Sequence, residues 1–186
     1  MSVSTNDLKN GMALDLPDGL VTVVEFQHVK PGKGGAFVRT KLKNFRSGAV
    51  VEKTFRADEK LRLAVIDKRD MQYLYRDANS YVFMDTDNYD QVHVDAGDLG
   101  ESVRYLKEGD TAVLPVYDDR VIGIELPAAV ELTVTETEPG VQGDRVSGAR
   151  KVATLETGLV VQVPLFVESG ERIKVDTRTG EYLARA

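Results

Sequence analysis

The sequence predicts an all-β protein built from small β-barrels. Short runs of β-branched and aromatic residues alternate with turn residues at intervals of about 8 to 12 positions, as in sandwiches and barrels. No long stretch sustains a helical period, so a parallel sheet with crossover helices is not expected. A chain of 186 residues can form three pieces of about 60 residues, a length at which closed barrels remove exposed strand edges.

Turn residues mark the strands of the first third. Pro17-Asp18-Gly19 and Ser47-Gly48 interrupt the apolar alternation, and these residue types favour tight turns. Strands are therefore predicted at residues 11–16, 20–29, 36–44, 49–56 and 61–67.

The remaining elements follow from the same patterns. Leu99, Val103 and Leu106 recur at helical spacing, which predicts a helix over residues 97–106. Strands are predicted around this helix at 73–75, 81–84, 91–94, 111–117 and 121–125, and in the last third at 129–136, 159–163, 172–175 and 181–183.

Charge divides the chain into three segments. Residues 1–63 carry a net charge of +4, residues 64–127 carry −8 and residues 128–186 carry −2, which together give the −6 of the whole chain. The boundaries lie where basic composition changes to acidic and where Pro127 interrupts a strand-rich stretch. We predict three domains with these bounds. The basic first domain favours a polyanionic partner such as nucleic acid, which the acidic total alone would argue against.

Composition excludes several classes of protein. Cysteine is absent, which excludes disulfides, thiolate metal sites and cysteine nucleophiles. The sequence has neither an apolar run of membrane-spanning length nor a signal peptide, so a cytoplasmic protein without a membrane partner is expected. No nucleophile and base occur in a catalytic spacing, so we expect no enzyme, no catalytic residue, no metal and no cofactor.

Lys33 lies in a glycine-rich segment between two predicted strands. In Lys30-Pro31-Gly32-Lys33-Gly34-Gly35 the proline fixes φ at the start of a turn, and a positive φ is expected at Gly32. Lys33 is then the only extended side chain at the tip, and bare glycines would let the loop enter a narrow space. A phosphate-binding P-loop is excluded because Gly34 follows the lysine and a strand follows the loop. The alternative is a flexible surface turn with an incidental lysine.

Cations alternate with other residues in the strand that follows the loop. The strand period places one set of side chains on the core face, namely Val38, Thr40 and Leu42. The opposite face carries Arg39, Lys41 and Lys43. Like charges in a row repel each other, which favours a polyanion that contacts each of them.

Seven motifs, distributed in order from residue 7 to residue 182, extend along almost the whole chain. They are D-L-K-N-G-M (7–12), V-K-P-G-K-G-G-A-F-V-R-T-K-L-K-N (29–44), Y-L-Y-R-D (73–77), Y-V-F-M-D (81–85), E-L-P-A-A-V-E-L (125–132), A-T-L-E-T-G-L-V-V-Q-V-P-L-F-V (153–167) and V-D-T-R-T-G-E-Y (175–182). Through these motifs the chain resembles the elongation factor P family. The related initiation factor five A lacks a third domain and fits less well.

The resemblance implies a fold and a function. The fold is an SH3-like (KOW-like) N-terminal barrel followed by two OB folds in an elongated arrangement. The function is that of a monomeric translation factor that binds the ribosome between the P and E sites and contacts the P-site tRNA. Such a factor stimulates peptide-bond formation and relieves stalling at consecutive prolines.

The resemblance also implies roles for particular residues. Lys33 matches the tip residue that approaches the tRNA acceptor end and that a separate enzyme modifies in many members. The RNA-facing residues around it would be Lys30, Pro31, Gly32, Gly34, Gly35, Arg39, Lys41 and Lys43. A third-domain loop near the E-site codon is matched by Gly143, Asp144 and Arg145, with arginine where some members have threonine.

Two other functions stay open. One is that of an elongation factor P-like paralogue. The other is a general single-stranded nucleic-acid-binding OB protein, in which Phe37, Tyr73 and Tyr75 would serve as stacking platforms for bases.

Overall fold

The structure is a computed structural model that describes residues 1–140 and 148–186. In this part of the chain, sixteen strands form three β-sheets, one of six strands and two of five. Helical structure in the same part is confined to one short α-helix and two 3₁₀ helices. The chain is therefore an all-β protein, as the spacing of its turn residues predicts.

The first sheet carries the lysine loop. Its strands are β1 (Ser2–Ser4), β2 (Ala13–Leu16), β3 (Gly19–Val29), β4 (Phe37–Asn44), β5 (Val50–Arg56) and β6 (Lys60–Ala64), in the order β1-β6-β2-β3-β4-β5. Leu14, Val38 and Leu42 are almost fully buried in its core. The sequence pattern does not indicate the short strand β1, because two serines around one valine give no strand signal.

The second sheet is formed from the middle of the chain. Its strands are β7 (Asp67–Asp77), β8 (Ser80–Asp85), β9 (Gln91–Asp95), β10 (Thr111–Tyr117) and β11 (Arg120–Val121), in the order β11-β10-β7-β8-β9. The predicted strand at 121–125 is wrong beyond Val121. Ile122 N–H bonds to the Pro115 carbonyl and Glu125 N–H to the Val113 carbonyl. Between these two hydrogen bonds the chain advances three residues, from Ile122 to Glu125, but only two residues in β10, from Val113 to Pro115. This mismatch interrupts the regular hydrogen-bond ladder.

The predicted helix at 97–106 is correct only in its first turn. Helix α1 covers Ala96–Leu99, and a 3₁₀ helix continues over Gly100–Tyr105. Gly100 has a φ of 56° and its N–H bonds to the Ala96 carbonyl, so it closes the α-helix as a C-cap. In the described part of the chain, no helix is long and apolar enough to cross a membrane.

The third sheet follows Pro127. Its strands are β12 (Ala129–Thr137), β13 (Arg150–Leu155), β14 (Val160–Pro164), β15 (Arg172–Asp176) and β16 (Tyr182–Arg185), in the order β14-β13-β12-β15-β16. Its core includes the fully buried Leu132, Val163 and Ile173. Strand β13 was not predicted, because Lys151 occupies one of its inward positions and hides the alternation.

The backbone groups into two compact units. The first consists of Met1–Arg69 with Pro115–Gly123, and the second of Asp70–Leu114 with Ile124–Ala186. Within the first unit, the Tyr117 hydroxyl donates a hydrogen bond of 3.1 Å to Asp15 Oδ2. The division into three domains ending at residues 63, 127 and 186 stays a prediction.

Candidate nucleic-acid interface

The lysine loop joins the two long strands β3 and β4. These strands pair from Val21 with Asn44 up to Val29 with Phe37, so the hairpin is hydrogen-bonded to the base of the loop. Every residue from Lys30 to Gly35 is exposed. The loop is thus held by a rigid hairpin while its own side chains remain in solvent.

The Lys33 ammonium group has no internal partner in the described part of the chain. The side chain has no hydrogen bond or ion pair with any residue that the structure describes. A cation on an exposed loop retains its hydration shell and can exchange it for an external anion or carbonyl. The loop can therefore present this amine to a partner without first breaking an internal contact.

Glycine shapes the loop at a different position from the one expected. The positive φ, +107°, lies at Gly34 and not at Gly32. A Cβ at Gly34 would approach only the Pro31 ring, at 4.0 Å, so Gly34 and Pro31 face each other across the turn. At Gly32 and Gly35 an added Cβ would meet nothing within 4 Å. The free protein therefore has room for a methyl group at both of these positions.

The cations of β4 lie on the exposed face, where the strand period predicts them. Arg39, Lys41 and Lys43 are exposed, whereas Val38 and Leu42 are buried. Thr40 is buried as well, and its hydroxyl donates a hydrogen bond of 2.7 Å to the Lys53 carbonyl. The role of these cations and of Lys33 in RNA binding stays a prediction.

Lys41 differs from its neighbours because its charge is already paired. Its Nζ lies 2.9 Å from Glu25 Oε2. The hydrogen bond and charge of Glu25, with a further contribution from Glu52, raise the pKa of Lys41 above its ordinary value of 10.5. An external phosphate would have to compete with these carboxylates for the ammonium.

A β-bulge brings Glu25 to this position. The β3–β4 register shifts between Val23 and Glu25, so Val24 is an extra residue and Glu25 lies opposite Lys41. Without the bulge, Val24 would face Lys41 and Glu25 would point to the core side. The bulge therefore creates the ion pair.

Register arranges the outer face of β3, β4 and β5 in rows, since directly opposite residues share a face. Moving away from the loop, the rows are Val29–Phe37–Arg56, Gln27–Arg39–Thr54, Glu25–Lys41–Glu52 and Thr22–Lys43–Val50. The two rows nearest the loop each carry one cation and no carboxylate. The third row carries one cation and two carboxylates. Cations without a carboxylate in their row therefore lie in the two rows beside the loop and again in the fourth row, at Lys43. The row nearest the loop adds Arg56, a cation that the sequence pattern alone does not single out.

Two of the three aromatic side chains that could serve as stacking platforms are buried or half-buried. Tyr73 is 7% exposed and Phe37 is half-buried, whereas Tyr75 is 44% exposed. One of the three is therefore open enough to stack on a base.

An aspartate of the second sheet accepts a backbone hydrogen bond within a turn. Asp85 is buried and its Oδ1 accepts a hydrogen bond of 2.8 Å from the Asp87 N–H. Among the described residues, no group of three or more His, Asp or Glu side chains could hold a metal ion. The predicted third-domain loop, Gly143 to Arg145, lies outside the described residues.

Family models match three consecutive parts of the chain. Residues 4–61 match the Elongation factor P (EF-P) KOW-like domain, residues 66–124 match the Elongation factor P (EF-P) OB domain, and residues 130–185 match Elongation factor P, C-terminal. These matches confirm the predicted fold class, a KOW-like first domain followed by OB folds.

Solved structures of another factor share this fold. Eukaryotic translation initiation factor 5A from Methanococcus jannaschii aligns with a TM-score of 0.53 at 20% identity, over 67% of this chain and 94% of that one. A translation initiation factor eif-5a family protein from Naegleria fowleri aligns with a TM-score of 0.56 at 12% identity, over 68% and 96%. At these identities the likeness concerns the fold alone.

Curated relatives extend over nearly the whole chain. Elongation factor P of Acidothermus cellulolyticus is 61% identical over 183 residues, which cover 98% of this chain and 98% of the relative. Elongation factor P of Streptomyces avermitilis is also 61% identical, over 98% and 97%. That of Moorella thermoacetica is 53% identical over 99% of this chain and 100% of its own. The chain therefore belongs to the elongation factor P family of translation factors.

Proposed function

We propose that the chain is a translation elongation factor that binds the ribosome between the P and E sites and contacts peptidyl-tRNA. It stimulates peptide-bond formation where consecutive prolines stall synthesis. The observation that carries this proposal is the exposed Lys33 ammonium, which has no partner in the described chain and lies at the end of a paired hairpin. We place this activity in the cytoplasm and assign it to a monomer.

The proposed mechanism is positional. Proline is a poor donor and acceptor, so its peptidyl-tRNA is poorly aligned for attack. A factor that holds the tRNA lowers the entropic cost of alignment, while the covalent chemistry stays on the ribosome. In this proposal the chain contributes position and charge, and no catalytic group, metal or cofactor of its own. The Lys33 ammonium offers three donors to phosphate or carbonyl oxygens near the acceptor end.

Two further contacts belong to this proposal. The exposed amine of Lys33 is the proposed target of a separate modifying enzyme, which intact-mass measurement of the native protein would detect. The third-domain loop at Gly143, Asp144 and Arg145 is the proposed contact near the E-site codon.

The test is a reporter with a run of prolines, expressed in cells that lack the native factor. Wild type restores synthesis and Lys33→Ala does not. Thermal unfolding of the two proteins stays equal, because an exposed side chain without partners contributes less than about 0.5 kcal/mol. Lys174→Ala is the matched control, since it removes an exposed lysine from β15 of the third sheet. Full rescue by Lys33→Ala would overturn the proposal.

A general single-stranded nucleic-acid binder is the second candidate, favoured by the exposed ring of Tyr75. Co-sedimentation separates the two functions. The proposed factor pellets with ribosomes and binds free oligonucleotides weakly. The general binder retains oligonucleotides without ribosomes, and Tyr75→Ala then weakens that binding.

A further inference from the structure

We propose that Arg56 and Arg39 together form an RNA phosphate-binding site beside the Lys33 loop, in which Lys41 takes no part. This inference rests on the proposed function, because it names a contact that the factor makes with RNA. It adds Arg56 to the interface and removes Lys41 from it. The ligand is a phosphodiester group of either tRNA or ribosomal RNA.

Strand register places the two arginines together. Arg56 lies opposite Phe37 and Arg39 lies opposite Thr54, so the arginines are diagonal neighbours on the outer face of β4 and β5. Diagonal neighbours in a sheet are separated by about 7–8 Å, within reach of two long side chains. Both residues are exposed. Their guanidinium groups can therefore converge on one phosphate or on two consecutive ones.

The two guanidinium groups are also free of internal partners. Neither has a hydrogen bond or ion pair with any residue that the structure describes. The Glu59 carboxylate contacts the backbone of Arg56, since its Oε2 accepts a hydrogen bond of 3.0 Å from the Arg56 backbone N–H. The Arg56 side chain is left available by that arrangement.

Three other cations of the same barrel are paired with carboxylates. Lys41 pairs with Glu25 at 2.9 Å and Lys53 with Asp18 at 3.0 Å. Arg62 lies 3.6 Å from Asp15. On the outer face, unpaired cations thus lie in the two adjacent rows beside the loop, those of Arg56 and Arg39, and in the row of Lys43, which the row of the paired Lys41 separates from them.

Phosphate is the ligand that this arrangement fits best. Arginine presents planar, bidentate donors that match phosphate oxygens, and it loses less hydration on binding than lysine does. The two rows lie at the base of the loop whose tip is proposed to approach the tRNA acceptor end. A nucleic-acid backbone near that tip would therefore run past both arginines.

The experiment measures the salt dependence of ribosome binding. Wild type, Arg56→Gln, Arg39→Gln and the double variant are titrated onto ribosomes from 50 to about 200 mM salt, a range in which phosphate contacts dominate the change in affinity. Each single variant should make the slope of log K against log[salt] shallower by about 0.7 to 0.9, the value for one phosphate contact. Lys174→Gln should leave the slope unchanged, and thermal unfolding checks that every variant is folded.

Two further arms define the contact. Ribosomes with and without P-site tRNA identify the source, because a tRNA phosphate changes the slope only when tRNA is present and a ribosomal phosphate changes it in both cases. Arg56→Lys should keep the slope but weaken binding, because it retains the charge and loses the bidentate geometry.

The inference can fail separately from the proposed function. A wild-type slope for folded Arg56→Gln, with normal ribosome binding, overturns the phosphate site and leaves the proposed function standing. Absence of ribosome binding by the wild type overturns both.

Discussion

Two lysines of the same hairpin have opposite surroundings. The Lys33 ammonium has no partner in the described chain, whereas Lys41 lies 2.9 Å from Glu25. A free ammonium exchanges water for phosphate directly, but a paired one must first lose its carboxylate. The number of basic residues in a segment therefore overestimates the charge that is available to RNA.

The Lys41 pair predicts a pKa change. We expect Glu25→Gln to lower the pKa of Lys41 toward its ordinary value of 10.5, because Glu25 is the largest cause of the increase. In wild type the pair stabilises the fold below about pH 10.5, and this contribution is lost as pH rises through the higher folded pKa. NMR titration of the lysine side-chain methylene signals measures both states.

Glu59→Gln is the control for this titration. It removes a carboxylate from the same barrel that is not among the causes of the Lys41 pKa increase. An unchanged Lys41 pKa in Glu25→Gln would show that the pair does not form in solution.

At the scale of elements, regular strands could be predicted from the sequence and irregular ones could not. The alternation in β4 correctly places Val38 and Leu42 in the core, because the strand has no bulge between them. In β3 the bulge at Val24 changes the phase, so the partner of Lys41 depends on register and not on spacing. The sequence pattern does not indicate strand β13, because Lys151 is buried at an inward position, with its Nζ donating to the Glu138 carbonyl at 2.6 Å.

The glycines of the loop predict two different effects of adding a methyl group. Gly34→Ala should destabilise the loop by about 1–2 kcal/mol, because φ is +107° there and L-residues avoid that region. Gly35→Ala should leave thermal unfolding unchanged, because an added Cβ meets nothing within 4 Å.

Rescue of proline-run synthesis then tests how the loop is used. We expect Gly35→Ala to reduce rescue, because a loop that enters a narrow site has no space for the methyl group once it is bound. Full rescue by Gly35→Ala would favour an unconfined surface turn.

At the scale of the whole molecule, compact units do not follow the order of the chain. Pro115–Gly123 belongs to the same unit as Met1–Arg69, although the charge pattern and the OB family match place it in the middle segment. Charge and proline positions could not predict this, because the contacts connect residues far apart in sequence. Tyr117 and Asp15 are one such pair.

Tyr117→Phe tests this packing. The variant removes the hydroxyl that donates to Asp15, so we expect the 115–123 segment to separate from the first unit more often. Amide hydrogen exchange in β2 should become faster, while exchange in β14 stays as in wild type. Equal exchange in β2 of both proteins would show that the hydrogen bond does not hold this segment.

The acidic middle segment predicts a role in orientation. Replacing the exposed Asp87, Asp90 and Asp95 by Asn should increase affinity for free RNA and reduce rescue, because repulsion no longer disfavours the wrong approach. Asp85 is left intact because it is buried. Gel-shift and reporter assays measure the two effects.

A charge-matched control accompanies this variant. Glu136, Glu168 and Glu181 are exposed carboxylates of the last segment, and replacing them by Gln removes the same total charge. If both triple variants behave alike, net charge and not its location is responsible.

The bulge at Val24 has a consequence for the residence time of the factor. By turning Glu25 outward, it pairs the Lys41 ammonium with a carboxylate. If the barrel binds RNA as we propose, this pair limits how tightly it does so. On the proposed function, the factor would occupy a path used by moving tRNA and would have to dissociate in every round of synthesis. With both Glu25 and Glu52 replaced by Gln, we expect a factor with the proposed function to leave more slowly and to obstruct the step that it is proposed to assist.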